Sequence, residues 1–509
     1  MYKTLLILKY LRKRRIAWVS LIAVMLCTAM VLIVISVMGG WLEMFRQTNH
    51  ALVGDVIVSR QAMNGFAHYE EMIDEIQKLP QVKAAAPLMR TFGLANIGDF
   101  PVETEVIGVD LKRIQNVNGF VKSLYLQPPI LKDLANKKEA AAKDFLAQAT
   151  TQPNGSPQAA DDLDNADGLK EEAERLRKMA ADFPSWDKPL PDEEYRYFLK
   201  NAKAPENLHG IIMGSRILGI EADDNGHIEH PPWIYQDWVK LTSMRYTQDM
   251  TEDPRSVGMY WIIDDSRTGV YLADSHTVYV PFDDLQAQMD LNGQSNNEPP
   301  RCNEIEISVK DGVLPDAVVP AVDTVVEGII NKYGLEPGYL KDPIVVETWE
   351  QRQAPILSAV ENEKGLLVIL FAIISVVAIF LIFCIFFMIV VEKTRDIGII
   401  KSVGATGWGV AAIFLGYGLA IGIVGSGLGL LLGYLVVHNI NELHRWLGTA
   451  FGVHIWDPRT YVFDTIPNKL EPTDVMVIAA VAIISSVLGA LVPAIRAARM
   501  NPVEALRWE

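Results

Sequence analysis

Hydrophobic and polar positions along this chain fall into long blocks. Four runs, 17–38, 366–391, 410–437 and 475–492, contain no Asp, Glu, Lys or Arg. Each is close to or above the roughly 20 helical residues that cross a hydrocarbon core. One charge at mid-bilayer costs roughly 2.5–3.5 kcal/mol on insertion scales, so four charge-free runs predict four transmembrane helices rather than buried core helices. The first run exceeds the about 7–15 apolar residues of a cleaved signal peptide and ends in "SVMGGW" without an A-x-A site. It reads as a retained anchor.

The long stretch between the first two runs, 39–364, has a shorter period and reads as α+β. "GDVIVSR" (54–60) and "TEVIGVD" (104–110) alternate like strands. "YEEMIDEIQKL" carries Met72, Ile73, Ile76 and Leu79 at helical spacing. Strand "NEIEISVK" (303–310), a helix over 316–332 and strand "PIVVETW" (343–349) repeat that order near the second run. Two strand–helix–strand halves predict one subdomain with a long excursion between them. Residues 131–203 are rich in Ala, Asp, Glu and Lys, and Thr150–Gly168 has too little apolar surface to order itself. We therefore expect a partly disordered insertion at about 131–203, with "LKEEAERLRKMA" (169–180) as a solvated helix. Strands should resume between Gly210 and Met289.

Charge then sets the orientation. The first sixteen residues hold Lys3, Lys9, Arg12, Lys13, Arg14 and Arg15 and no acid, whereas acids outnumber bases in 39–364. Basic flanks stay inside. The expected order is therefore a cytoplasmic N-terminus (1–16), TM1 (17–38), the extracytoplasmic domain (39–364), TM2 (366–391) and a cytoplasmic link (392–407). TM3 (410–437), an outer loop (438–473), TM4 (475–492) and a cytoplasmic tail (493–509) follow. The net charge of −16 argues against nucleic acid. Cys302 is the lone cysteine of the large domain, which excludes an internal disulfide there.

Signatures of catalysis are missing. The chain has no G-x-x-x-x-G-K-[ST], no H-E-x-x-H and no G-x-S-x-G. His227 and His230 in "HIEH" are a weak metal candidate, and His438, His444 and His454 suit an interfacial role better than ligation. The informative segment is the link "VVEKTRDIGIIKSVGAT" (390–406), charged and short between two apolar runs. Read as a helix, it puts Lys393, Ile397, Ile400 and Gly404 on one face, with Glu392, Arg395, Asp396 and Ser402 largely on another. A solvated connector is one reading. The other is a docking helix whose Ile397 and Ile400 enter a groove on a soluble partner while the charges set register. In the tail, Asn501, Pro502 and Glu504 make a helix-start pattern. In the third run Gly418, Gly422, Gly425, Gly429 and Gly433 allow close helix approach.

"EKTRDIGIIKSVGAT" with the Gly-rich run after it, and "VPAIRAARMNPVEALRWE" at the end, resemble the FtsX-like (MacB-like) permeases of ABC transporters. "SVMGGWLEMF", "VGDVIV", "GIIMGSRILG", "SRTGVYLADSHTVYVPFDDLQ", "TWEQRQAPILSAVENEK" and "FDTIPNKLEPTDV" resemble the lipoprotein-releasing (Lol-type) permeases within that family. Residues 131–203 depart from the pattern. The resemblance implies a type VII ABC permease-like architecture: four transmembrane α-helices with a large α+β extracytoplasmic domain between helices 1 and 2. It implies a non-catalytic subunit in a bacterial inner membrane, both termini cytoplasmic, paired with an identical or homologous permease and a cytosolic ABC ATPase dimer. That dimer, not this chain, would bind ATP and Mg.

The stretch Glu392, Lys393, Arg395, Asp396, Ile397, Ile400, Lys401, Gly404 and Ala405 matches the family's coupling helix. The implied cargo is lipoprotein handed to a periplasmic carrier. MacB-like export of amphiphiles or peptides, and FtsX-like signalling to a cell-wall hydrolase, are the alternatives. Val31, Ile35, Met38, Phe371 and Ile374 are candidate walls for acyl chains, among membrane lipids.

Overall fold

The computed structural model describes residues 15–60, 64–97, 100–152, 156–186, 209–219, 238–246, 252–294, 298–335, 342–452, 456 and 465–507. The chain divides into two compact units, one of Met1–Phe45, Pro355–Asp457 and Thr465–Glu509, the other of Arg46–Ala354 and Pro458–Asp464. Helix α1 (Arg15–Leu52) is followed by β1 (Val56–Ser59), β2 (Phe66–Ala67), α2 (Tyr69–Gln77), β3 (Val82–Ile97) and β4 (Phe100–Val109). Next come α3 (Pro128–Thr151), α4 (Pro157–Ala181), β5 (His209–Gly214), β6 (Trp238–Tyr246), β7 (Glu252–Ser266) and β8 (Thr277–Pro281). Then follow β9 (Arg301–Cys302), β10 (Glu304–Val309), α5 (Pro315–Tyr333) and β11 (Val345–Thr348). The order ends with α6 (Ala354–Glu392), α7 (Thr394–Ser402), α8 (Gly407–His438), α9 (Ile440–Phe451), α10 (Pro472–Arg499) and α11 (Pro502–Arg507). The basic residues 1–14, His227, His230 and His454 lie outside the described residues.

Strands of the second unit form one sheet in the order β11-β1-β10-β3-β4-β8-β5-β7-β6, and β3 pairs with β6 as well. That last pairing closes the six strands from β3 to β6 into a ring, which leaves β6 without a free edge while β11 stays at the edge of the sheet. Gly93 stands where β6 meets β3; a side chain there would come within 2.7 Å of the Thr242 carbonyl. Alternation splits the core. Val106, Ile211, Met213, Val278 and Val280 join one buried cluster, while Ile107, Ile212 and Tyr279 join a second. The two strand–helix–strand halves meet as expected. β1 pairs antiparallel with both β10 and β11, and α2 and α5 bury Met72, Ile73, Ile76, Val318, Val322 and Val326 in the first cluster.

β10 is buried on both faces. Ile305 and Ile307 are in the first core, and Glu304 and Glu306 are buried as well. Such carboxylates need partners. Arg90 supplies them: Nε lies 3.1 Å from Glu304, Nη1 3.1 Å from Glu105 and Nη2 3.5 Å from Glu306. Arg352 reaches Glu304 at 2.9 Å. Glu306 also accepts from the Gly54 amide at 3.0 Å and the Asn118 side chain at 2.7 Å. Burial, then the neighbouring Glu304, raises the Glu306 carboxyl to about 7, although Arg90, Asn118 and Gly54 act the other way.

The excursion is more ordered than its composition suggested. The expected disorder over Thr150–Gly168 is corrected by α4, which starts at Pro157 with Ser156 accepting from the Ala159 amide at 3.2 Å. The expected solvated helix over 169–180 is corrected too, since Ala173, Leu176, Met179 and Ala180 are buried. The reason is a heptad of the smallest helix-forming side chain. Ala135, Ala142 and Ala149 on α3 and Ala159, Ala166, Ala173 and Ala180 on α4 are buried at seven-residue spacing. Lys138–Glu172 at 3.1 Å and Gln152–Asp162 at 3.1 Å show that the helices run antiparallel. The base of this hairpin is held by Leu126, Leu131, Leu176 and Met179, and the Leu126 amide donates to Asp264 at 3.1 Å. Residues 187–208, which include the end of the expected insertion, lie outside the described residues.

Glu306 yields a prediction of definite sign. Its folded pKa of about 7 lies above the ordinary 4.5, so its contribution to stability is full below pH 4.5 and is lost as pH rises through 7. Glu306→Gln should flatten that slope, by on the order of 3 kcal/mol between the two limits. Thermal unfolding of both proteins in detergent across this window measures it. Identical pH profiles would show that Glu306 does not titrate there.

Candidate functional site

Among the described residues, four helices are long and apolar enough to cross a membrane: Trp18–Leu52, Gly365–Glu392, Gly407–His438 and Pro472–Arg499. Each extends past its charge-free run, because flanking polar residues continue the same helix. In hydrocarbon, apolar surface gives helices little reason to associate, so close packing by small residues decides which ones touch. On α8 a Cβ at Gly418 would lie 2.7 Å from Ala490, and one at Gly422 would lie 3.1 Å from Ile483, both on α10. At Gly425, Gly429 and Gly433 it would meet Val24 at 2.9 Å, Met25 at 2.5 Å and Leu32 at 2.9 Å, all on α1. The glycine stripe is thus two seams. Gly489 of α10 makes a third against Ile379 and Ile382 of α6, at 2.9 Å. The Ser486 hydroxyl donates to the Gly418 carbonyl at 2.7 Å. Ser486 and Gly489 escaped the sequence reading, though the small residues of "SSVLGA" carry the signal.

The link hangs from this bundle. Helix α7 follows α6 with one intervening residue, Lys393, whose ammonium pairs with Asp396 at 2.5 Å. Buried Thr394 donates to the Val391 carbonyl at 2.8 Å. Gly404 ends the turn with a φ of +104°, which favours glycine. The Ala405 amide closes on the Ile400 carbonyl at 3.2 Å. Thr406 then caps α8, accepting from the Gly409 amide at 3.1 Å.

Which face looks outward differs from the expectation. Ile397 is only 3% exposed and packs with Val390, Val410 and Ala497, so it faces its own bundle and not outward. Ile400 is half-buried. The outward apolar residues are Ile399, Val403 (84% exposed) and, across the turn, Trp408 (83%). Arg395 and Glu392 are exposed beside them. The spacing of isoleucines defined a face but could not say which side the bundle takes.

Lys401 has a role that charge alone did not reveal. Its ammonium donates to the Ala498 carbonyl at 2.9 Å and the Met500 carbonyl at 2.5 Å, so it caps the C-terminal end of α10. Helix α11 packs beside α7 and starts as its sequence predicts, with the Val503 amide donating to Asn501 Oδ1 at 3.1 Å. Val503 adds a further exposed apolar side chain there. Of the candidate acyl-chain walls, Val31, Ile35 and Met38 share a half-buried face of α1, Phe371 is buried and Ile374 is half-buried. Among the described residues no group of three His, Cys, Asp or Glu is placed to hold a metal.

The FtsX-like permease C-terminal family matches residues 368–502. This chain carries an FtsX-like permease domain. The domain thus takes in most of α6, all of α7 to α10 and the start of α11. The lipoprotein-releasing system transmembrane protein LolC of Xylella fastidiosa (strain 9a5c) is 31% identical over 170 residues, which are 33% of this chain and 41% of that one. LolC of Neisseria meningitidis serogroup B is 31% identical over 175 residues, 34% of this chain and 42% of that one. The chain therefore spans about two fifths of these curated relatives. Among solved structures, the periplasmic region of MacB from Actinobacillus actinomycetemcomitans overlaps 60% of this chain and 94% of its own. Its TM-score is 0.26 at 8% identity, below the level of a shared fold.

The glycine seams predict a paired result. Gly429→Leu must force α1 and α8 apart and should cost about 1–3 kcal/mol or more, as overpacking does. Gly427→Leu, where a side chain meets nothing within 4 Å, should be neutral. Melting temperatures in detergent measure both, and equal shifts would refute the seam.

Proposed function

We propose that this chain is the permease subunit of an ABC transporter that releases lipoproteins from a bacterial inner membrane to a periplasmic carrier. A separate cytosolic ABC ATPase dimer, binding ATP and Mg, drives it, and a second permease, identical or homologous, completes the transporter. The observation that carries this reading is the link α7. It presents Ile399 outward, with Val403 at its C-cap, yet Ile397 and Lys401 fix it to the ends of α6, α8 and α10. A docking element needs that combination. A loose loop would absorb a push, whereas a braced helix passes it to the helices it touches.

The FtsX-like domain supports the ABC assignment, and the names of the LolC relatives support lipoprotein as cargo. The chemistry of such cargo sets a further demand. At about 0.8 kcal/mol per methylene, exposing three acyl chains of roughly 15 methylenes each to water costs on the order of 35 kcal/mol. The chains must therefore travel along apolar protein. Val31, Ile35, Met38, Phe371 and Ile374 are proposed as parts of that wall. Helices α1 and α6, 38 and 39 residues long, run unbroken past their apolar segments and offer a route for relaying motion. Both termini then lie in the cytoplasm, with residues 39–364 outside it.

Val403→Asp with Trp408→Asp should lower the ATPase that co-purifies by about tenfold, a loss of roughly 1.4 kcal/mol, while the permease still inserts. Ile397→Asp should instead reduce the amount of inserted protein, since it buries a charge. ATPase binding at the wild-type level in the double variant would remove the docking role from this surface.

A further inference from the structure

Helix α9, Ile440–Phe451, has no buried residue among its twelve. At 100° per residue its apolar side chains, Ile440, Leu443, Trp446, Leu447, Ala450 and Phe451, fall within an arc of about 140°. Arg445 lies about 170° from the centre of that arc, and Thr449 and Glu442 lie outside it, about 130° and 110° away. Trp446 is 57% exposed and Phe451 67%, and their rings meet edge to face with centroids 5.8 Å apart. Leaving Leu, Trp and Phe in water forfeits about 1.5–3 kcal/mol for each large side chain. Something should cover this face.

Both ends of the surrounding chain say what. Asn439 is at once the C-cap of α8 and the N-cap of α9, so no linker lets α9 leave the end of that apolar helix. Asn441 is also clasped to the segment leading into α10. Its side chain donates to the Ile466 carbonyl at 3.2 Å and accepts from the Ile466 amide at 2.9 Å. Helix α8, with 32 residues at 1.5 Å each, is about 48 Å long, more than the roughly 30 Å hydrocarbon core. Its end therefore reaches the headgroup layer, and α9 starts there between two crossings. Glu442 and Arg445 balance in charge, so attraction to anionic lipid is not required.

We propose that α9 is an interfacial helix that lies in the headgroup–acyl boundary of the bilayer. Leu443, Trp446 and Phe451 enter the acyl region, and Glu442, Arg445 and Thr449 face water. The inference rests on α8 and α10 crossing the membrane and is independent of what is transported.

The test is site-directed spin labelling of the full chain in phosphatidylcholine nanodiscs. Cys27 and Cys384 are replaced by Ala, Cys302 is buried, and single cysteines are placed at Glu442, Leu443, Arg445, Trp446, Thr449 and Ala450. The expected result is a ratio of oxygen to nickel-chelate accessibility several-fold higher at 443, 446 and 450 than at 442, 445 and 449. High nickel accessibility at all six would overturn the proposal. Low accessibility to both reagents along the apolar arc would also overturn it, by showing a protein partner or a second copy there. Should labelled variants misfold, Trp446→Phe in otherwise native protein should lose part of the tryptophan quenching by brominated lipid. Unchanged quenching would contradict the proposal.

Discussion

The absence of side chains along one helix sets much of the rest. Because Gly418, Gly422, Gly425, Gly429 and Gly433 carry no Cβ, α8 approaches α10 through its first half and α1 through its second. Gly489 does the same between α10 and α6. A membrane bundle cannot rely on apolar surface to choose its neighbours, since lipid is equally apolar. Backbone approach chooses instead. Once α6, α8 and α10 are so placed, the nine residues of α7 have little freedom, and Ile397 and Lys401 remove most of what is left.

The sheet unit is built by other rules. Its core lies on both faces of the strands, and closing β6 onto β3 protects an edge that would otherwise pair with other chains. The cost of that burial appears where Glu304 and Glu306 lie in the interior of the sheet. Arg90 offsets it by meeting three carboxylates, which together outweigh its own burial and hold the guanidinium above its ordinary value. The Ala-lined hairpin of α3 and α4 shows a third solution, in which helices with little apolar surface pack by coming very close.

How legible each part was follows from the kind of signal it left. Runs without charge announce four helices long and apolar enough to cross a membrane, because a single ion in hydrocarbon is so costly. The strand–helix–strand halves were readable from local periodicity, but the order of nine strands was not, since pairings such as β10 with β3 join residues over two hundred positions apart. Residues 157–180 misled because alanine, set among many charged residues, offers little apolar surface; only its heptad spacing carried the information. In the candidate site the link and the glycines were visible, while the outward face was not. Ile397 and Val403 are equally apolar in sequence, and the bundle, absent from any local window, decides which one is buried. Helix α9 passed as a histidine-bearing loop although its apolar arc was there to find.

The central claim is that α7 and its surroundings receive a cytosolic ATPase on behalf of a lipoprotein-releasing transporter. The most direct measurement is to purify the tagged chain from its own membranes into nanodiscs and identify what stays bound by mass spectrometry. An ABC ATPase together with acylated proteins is the predicted result. Intact permease with no ATPase after gentle extraction would contradict the account.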